Sequence, residues 1–266
     1  MEHYKMDQSR VSSASEMLNK VPEVTLYFWI IKIMATTVGE TAADLLAVRM
    51  NMGLTVTSVV MSVLFAVVLV FQLRARRYVP TLYWLTVVLI SIVGTLVSDN
   101  LVDGFGISLV TTSIAFSIFL AIVFAAWYSV EKTLSIHTIV TSRRERFYWL
   151  AILFTFAMGT SVGDLLAESI DLGYLQAAIV FALSIAAVGA LYYGLRLNAV
   201  FCFWVAYILT RPLGASIGDW LAKPVIADGL GLGTVTTSVM FLAVILAVVL
   251  YLTVSKADRI APSAVE

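Results

Sequence analysis

The chain has 266 residues, 61% of them hydrophobic and 13% charged, with 17 basic and 17 acidic side chains and a formal net charge of zero. A mean hydropathy of +0.96 is far too high for a soluble domain, and no basic arm points to a nucleic-acid partner. The single cysteine, Cys202, excludes an internal disulfide and a cysteine-based metal cluster within one chain.

In chain order, residues 1–23 are polar and lack the apolar core and cleavage site of a signal peptide, so they are expected to be a cytosolic tail or surface helix. Eight apolar runs follow, near 24–47, 54–73, 80–102, 107–130, 147–168, 173–195, 199–222 and 234–255. Each is long enough to cross a hydrocarbon core of about 30 Å as a helix. Runs such as VVMSVLFAVVLVF are continuously apolar, unlike the alternating strands of a membrane barrel. The expected fold class is therefore all-α, a polytopic protein whose partner is the lipid bilayer. Residues 24–130 hold four spans, 131–146 a polar linker, 147–255 four more spans, and 256–266 a second tail.

Thirteen of the 17 Lys and Arg residues fall in the two tails and in the connections after the second, fourth and sixth spans. The opposite connections hold only Arg49 and Lys223, so both termini are expected in the cytosol.

A tryptophan, a glycine ten residues later and an aspartate five beyond that recur four times: Trp29/Gly39/Asp44, Trp84/Gly94/Asp99, Trp149/Gly159/Asp164 and Trp204/Gly214/Asp219. The second span of each unit repeats less strictly, as TVTSVV at 55–60, VTTSIA at 110–115, LQAAIV at 175–180 and VTTSVM at 235–240. Each unit crosses twice, so the four are expected to be parallel repeats about an axis along the membrane normal. Closure into a pseudo-fourfold ring and pairing into two halves are both compatible with this pattern. The pattern resembles that of a bacterial membrane protein family defined by four tandem two-helix repeats of unknown function. The resemblance covers residues 24–255 and implies the architecture and an inner-membrane setting, but no activity.

Within each motif the tryptophan is expected to anchor at the cytosolic interface. The glycine, with a small residue four further on (Ala43, Ser98, Gly163, Gly218), should let helices pack closely. The aspartate carries the functional claim, because a carboxylate in an apolar helix costs on the order of 3 kcal/mol to insert. Glu40 with Asp44, Asp99 with Asp103, and Asp164 with Glu168 are spaced four apart, so each pair should share a helix face and either a proton or a cation. In the fourth repeat Lys223 stands four after Asp219 and is expected to neutralise it.

Oxygen ligands suit hard cations, which makes Glu40, Asp44, Asp99, Asp103, Asp164, Glu168 and Asp219 the expected metal-binding set. Thr57, Ser58, Thr111, Thr112, Ser113, Thr236, Thr237 and Ser238 are candidate supporting hydroxyls. Lys32 and Arg211, also in apolar runs, need partners from other helices or water.

The leading expectation is a proton-coupled exporter of a divalent metal such as manganese. A cation channel with an acidic ring and a proton-coupled carrier of a small organic solute are the alternatives. No organic cofactor and no catalytic residue is expected. SVGD at 161–164 and SIGD at 216–219 resemble the GxGD element of intramembrane proteases, but serine replaces its first glycine and the partner YD is missing. The transported cation and protons are the expected small partners, and the sequence leaves room for a homo-oligomer.

Overall fold

In the computed structural model, residues 19–258 are described; the expected tails at 1–18 and 259–266 lie outside them. Eight long helices follow one another: α1 Leu26–Asp44, α2 Leu54–Arg74, α3 Pro80–Asp99, α4 Leu109–Glu131, α5 Ser142–Asp164, α6 Tyr174–Leu195, α7 Ala199–Ala222 and α8 Thr234–Ser255. No strand occurs among the described residues. Local chemistry sets several starts. Pro80 opens α3, where its missing N–H is harmless. Ser108, Thr141 and Asn198 accept backbone N–H bonds at the starts of α4, α5 and α7. Gly53, Gly173 and Gly233 precede α2, α6 and α8 with φ of 75°, 84° and 80°, a region that disfavours side chains.

Burial divides the helices into two layers. The most apolar windows of α3, α5 and α7 are 67%, 56% and 56% buried, whereas those of α2, α4, α6 and α8 are only 17–28% buried. The inner layer is a closed ring in which α1 packs on α3, α3 on α5, α5 on α7, and α7 back on α1. Each outer helix packs chiefly on the next inner one: α2 on α3, α4 on α5, α6 on α7, and α8 on α1. Exposed Val, Ile, Leu and Phe side chains cover the outer helices, for example Val63, Ile118, Leu183 and Leu246.

Among the described residues, seven helices are long and apolar enough to cross a membrane. The eighth expected span, 24–47, is not among them. It corresponds to α1, whose inward faces carry Lys32, Glu40 and three buried threonines, Thr36, Thr37 and Thr41. The one long helix that falls short of a span is thus one that the others enclose.

The described ends meet on one side of the ring, where Glu23 N–H donates to the Asp258 carbonyl at 3.0 Å. Nearby, Lys20 forms a buried ion pair with Glu145 at 2.7 Å, and Gln72 donates to the same carboxylate at 3.1 Å. Tyr78 donates to Asp258 Oδ2 at 2.5 Å.

Candidate functional site

The motif glycines hold the inner ring together in a cycle. A methyl group added to Gly39 would collide with Ser91, to Gly94 with Phe156, to Gly159 with Arg211, and to Gly214 with Thr36. Those four contacted residues share one repeat position, seven after the tryptophan. Each inner helix therefore seats the same ridge of its neighbour over a glycine, and the fourth contact closes on the first helix. The expected packing role of the glycines is seen here as geometry.

At the ends of the inner helices, all seven expected carboxylates line one cavity of about 90 Å³, together with Val102, Leu109 and Lys223. They are graded in depth. Asp103 and Glu168 are exposed, Asp44, Asp99 and Asp164 are half-buried, and Glu40 and Asp219 are buried. The C-terminal ends of α1, α3, α5 and α7 converge there, and helix C-termini carry partial negative charge, so the cavity is strongly cation-attracting. Immediately after Asp44, Asp99 and Asp164 the helices widen into five-residue π turns, Leu45–Arg49, Asn100–Gly104 and Leu165–Ser169. The fourth inner helix has no such turn and instead carries Pro212 within it.

These carboxylates share a cavity without forming a preassembled metal centre. Among the described residues, no group of three or more His, Cys, Asp or Glu side chains is arranged to hold a metal ion. Three local causes account for this. Glu40 turns inward to Arg211. Glu168 accepts from Tyr174 at 2.7 Å and from Lys223 at 3.1 Å. Asp103 and Glu168 also lie within π turns, so the four-residue spacing no longer stacks them over Asp99 and Asp164.

Lys223 stands 3.7 Å from Asp219, the ion pair expected from their spacing, but its closer carboxylate is Glu168 of the third repeat. Burial works against its charge, yet Asp219, the Tyr174 hydroxyl and Glu168 outweigh that and raise its pKa above the ordinary lysine value. Both the third and fourth repeats are therefore partly neutralised, and among the described residues Asp44, Asp99 and Asp164 have no basic side chain within ion-pair distance.

Below the cavity, Arg211 of α7 crosses the ring centre. Its Nη2 donates to Glu40 Oε2 of α1 at 3.0 Å, to Thr160 Oγ1 of α5 at 2.6 Å, and to Thr95 Oγ1 of α3. One guanidinium thus joins all four inner helices. Lys32, 1% exposed, has no hydrogen-bond partner on its Nζ. It lies 4.3 Å from the centre of the Phe156 ring of α5 and 4.2 Å from that of Tyr207 of α7, so its partners come from other helices, as expected, and are aromatic faces.

The far end of the ring is closed by aromatic side chains. The residue before each tryptophan meets the next tryptophan: Phe28 with Trp84 at 5.6 Å between ring centres, Tyr83 with Trp149 at 5.5 Å, Tyr148 with Trp204 at 6.2 Å, and Phe203 with Trp29 at 5.8 Å. Trp84, Trp149 and Trp204 are 2%, 3% and 5% exposed and Trp29 is half-buried, so the expected interfacial anchors pack mainly inward on the ring. Their large faces fill the ring interior, where small residues would leave a hole. A second cavity of about 500 Å³ opens at this end beside Trp29, His137, Tyr192 and Cys202, with Glu23 the one carboxylate among the described residues that line it.

The expected supporting hydroxyls lie elsewhere, and none lines the acidic cavity. Thr57, Ser58, Thr112 and Thr237 donate to carbonyls four residues earlier. Ser58 also accepts from Asn100 at 2.7 Å, and Ser238 pairs with Thr41 of α1 at 2.7 Å. Thr111 bonds Ser108 at the start of α4, Thr236 is exposed, and Ser113 is buried without a partner. Helix backbone lacking water is the better partner for such groups. Thr95 and Thr160, absent from the expected set, take the inner positions. Each follows its motif glycine directly, as Glu40 does, so aligning the repeats on that glycine was the available signal.

A family model described as Repeat of Unknown Function (DUF347) matches residues 27–78, 82–133, 147–197 and 202–258. Every matched stretch holds one inner and one outer helix. No curated protein and no solved structure matches the chain.

Proposed function

The chain belongs to the DUF347 repeat family, and we propose that it is a multi-pass membrane carrier of a cation. Its four repeats cross the bilayer in parallel, with α1 as the eighth span, shielded from lipid by its neighbours. The reading rests on one observation: seven carboxylates from all four inner helices converge on a single cavity. Carboxylates at the ends of apolar helices are expensive to keep unless they serve an ion or proton pathway. The excess of Lys and Arg on the side of the chain ends supports cytosolic termini, in the inner membrane of a bacterium. The acidic cavity then faces outward.

The cargo we propose is a divalent metal such as Mn²⁺, exported in exchange for protons. Metal and proton compete for the same carboxylates, so loading one releases the other. Because the carboxylates do not form a finished metal centre here, coordination requires Asp44, Asp99 and Asp164 to draw together in another state. A carrier fits better than a channel with an acidic ring, since Arg211 and the aromatic residues fill the axis beneath the cavity.

The test is manganese movement in vesicles of purified chain, with a pH-sensitive dye inside. Asp44→Asn, Asp99→Asn and Asp164→Asn should each reduce manganese flux and proton counterflow together, by about tenfold or more, the scale on which ligand-shell losses weaken metal sites. Correctly inserted variants that all carry manganese as well as the parent would end this reading.

A further inference from the structure

The oxygens around Arg211 are arranged more like a cation's coordination shell than a guanidinium's hydrogen-bond partners. Nη2 has two hydrogens but faces three oxygens from three helices, those of Glu40, Thr95 and Thr160. The Thr36 carbonyl adds a fourth oxygen, 3.4 Å from Nη1. Meanwhile Nε, an equally strong donor, is buried with no partner. A site built for arginine would offer its planar fork a matching pair of acceptors. Here three oxygens crowd Nη2, a single carbonyl reaches Nη1 at 3.4 Å, and none meets Nε.

The hydroxyls are oriented for the same purpose. Thr160 donates its proton to the Phe156 carbonyl at 3.2 Å, and Thr95 can donate to the Ser91 carbonyl at 3.3 Å. Both then present lone pairs to the centre. Arg211 and Glu40 are 0% and 6% exposed, so bulk water does not compete for the shell.

We propose that Glu40, Thr95, Thr160 and the Thr36 carbonyl form an inner site for a small monovalent cation such as Na⁺, with Arg211 its built-in occupant in this state. All-oxygen shells select hard cations. Charge balance selects valence: the direct shell carries one negative charge, which one guanidinium or one monovalent ion cancels, whereas a divalent ion would leave a net charge in a dry site. The acidic cavity above, which Glu40 also lines, gives the displaced guanidinium carboxylates to move toward. The inference rests on the cation-carrier reading and adds to it a coupling ion, bound when Arg211 leaves.

The test uses the purified full chain and radioactive sodium, with choline as the inert cation. Arg211→Gln and Arg211→Met both remove the built-in charge and vacate the shell. Either should bind about one sodium per chain, about tenfold or more tightly than the parent, whose shell is open only in the fraction of molecules where Arg211 has moved away. In the parent, the weaker binding should vanish on Thr160→Val, which keeps the side-chain shape and removes a lone pair. Folded Arg211 variants that bind no more sodium than the parent overturn the proposal. So does parent binding that survives Thr160→Val, or a parent that binds none when both Arg211 variants fail to fold. Manganese flux is read separately: sodium binding without metal movement ends the carrier reading and spares the inner site, and the opposite result does the reverse.

Discussion

Gly39, Gly94, Gly159 and Gly214 differ from the two glycines late in α6, Gly189 and Gly194, in what surrounds them. A methyl group at any of the four meets a neighbouring helix, whereas at Gly189 or Gly194 it meets nothing within 4 Å. Alanine at each motif glycine should therefore destabilise the chain by about 1–3 kcal/mol, the usual range for overpacking. Gly189→Ala and Gly194→Ala should stay within about 0.5 kcal/mol of the parent in the same denaturation assay. Equal effects at all six positions would contradict the packing cycle. Glu40→Gln is a harsher change, since it strands the buried Arg211 charge, and such losses run to about 3–5 kcal/mol. At this scale much could be read from sequence. Seven carboxylates were identifiable by repeat position and spacing, and they do meet. The pairing of Glu40 with Arg211 was hidden because the partners lie 171 residues apart and face each other only across a closed ring.

Helix existence was equally legible, because long apolar runs permit little else. Helix orientation was not. A tryptophan near the end of an apolar run suits an interfacial anchor and an inward-facing filler equally, and only the neighbouring helices decide between them. Burial of Trp84 and Trp149 yields a measurable difference. Trp84→Ala and Trp149→Ala should each lower stability by about 3–5 kcal/mol, as for large-to-small changes in a core, whereas lipid-facing anchors would lose far less. Thermal unfolding of the purified variants decides it. The π turns were likewise invisible, since nothing in the spacing of Asp99 and Asp103 announces that the helix widens between them. The same widening re-aims the outer carboxylates of the second and third repeats and explains why shared cavity and shared metal site are not the same thing.

The whole molecule is a ring whose last outer helix packs on its first inner one, and whose described ends touch through Glu23 and Asp258. A linear gene must start somewhere, but a closed cycle has no first member. Joining the ends through a short flexible linker in place of residues 1–18 and 259–266, and opening the chain in the connection between α4 and α5, should give a circular permutant that still inserts and unfolds near the parent temperature. The new ends would fall close to the buried Lys20 and Glu145 pair, which the permutant must retain. Such a chain would read as repeats three, four, one and two. The order in which the repeats are written would then be separable from what they build, and relatives with rotated repeat order could share this fold without sharing its alignment.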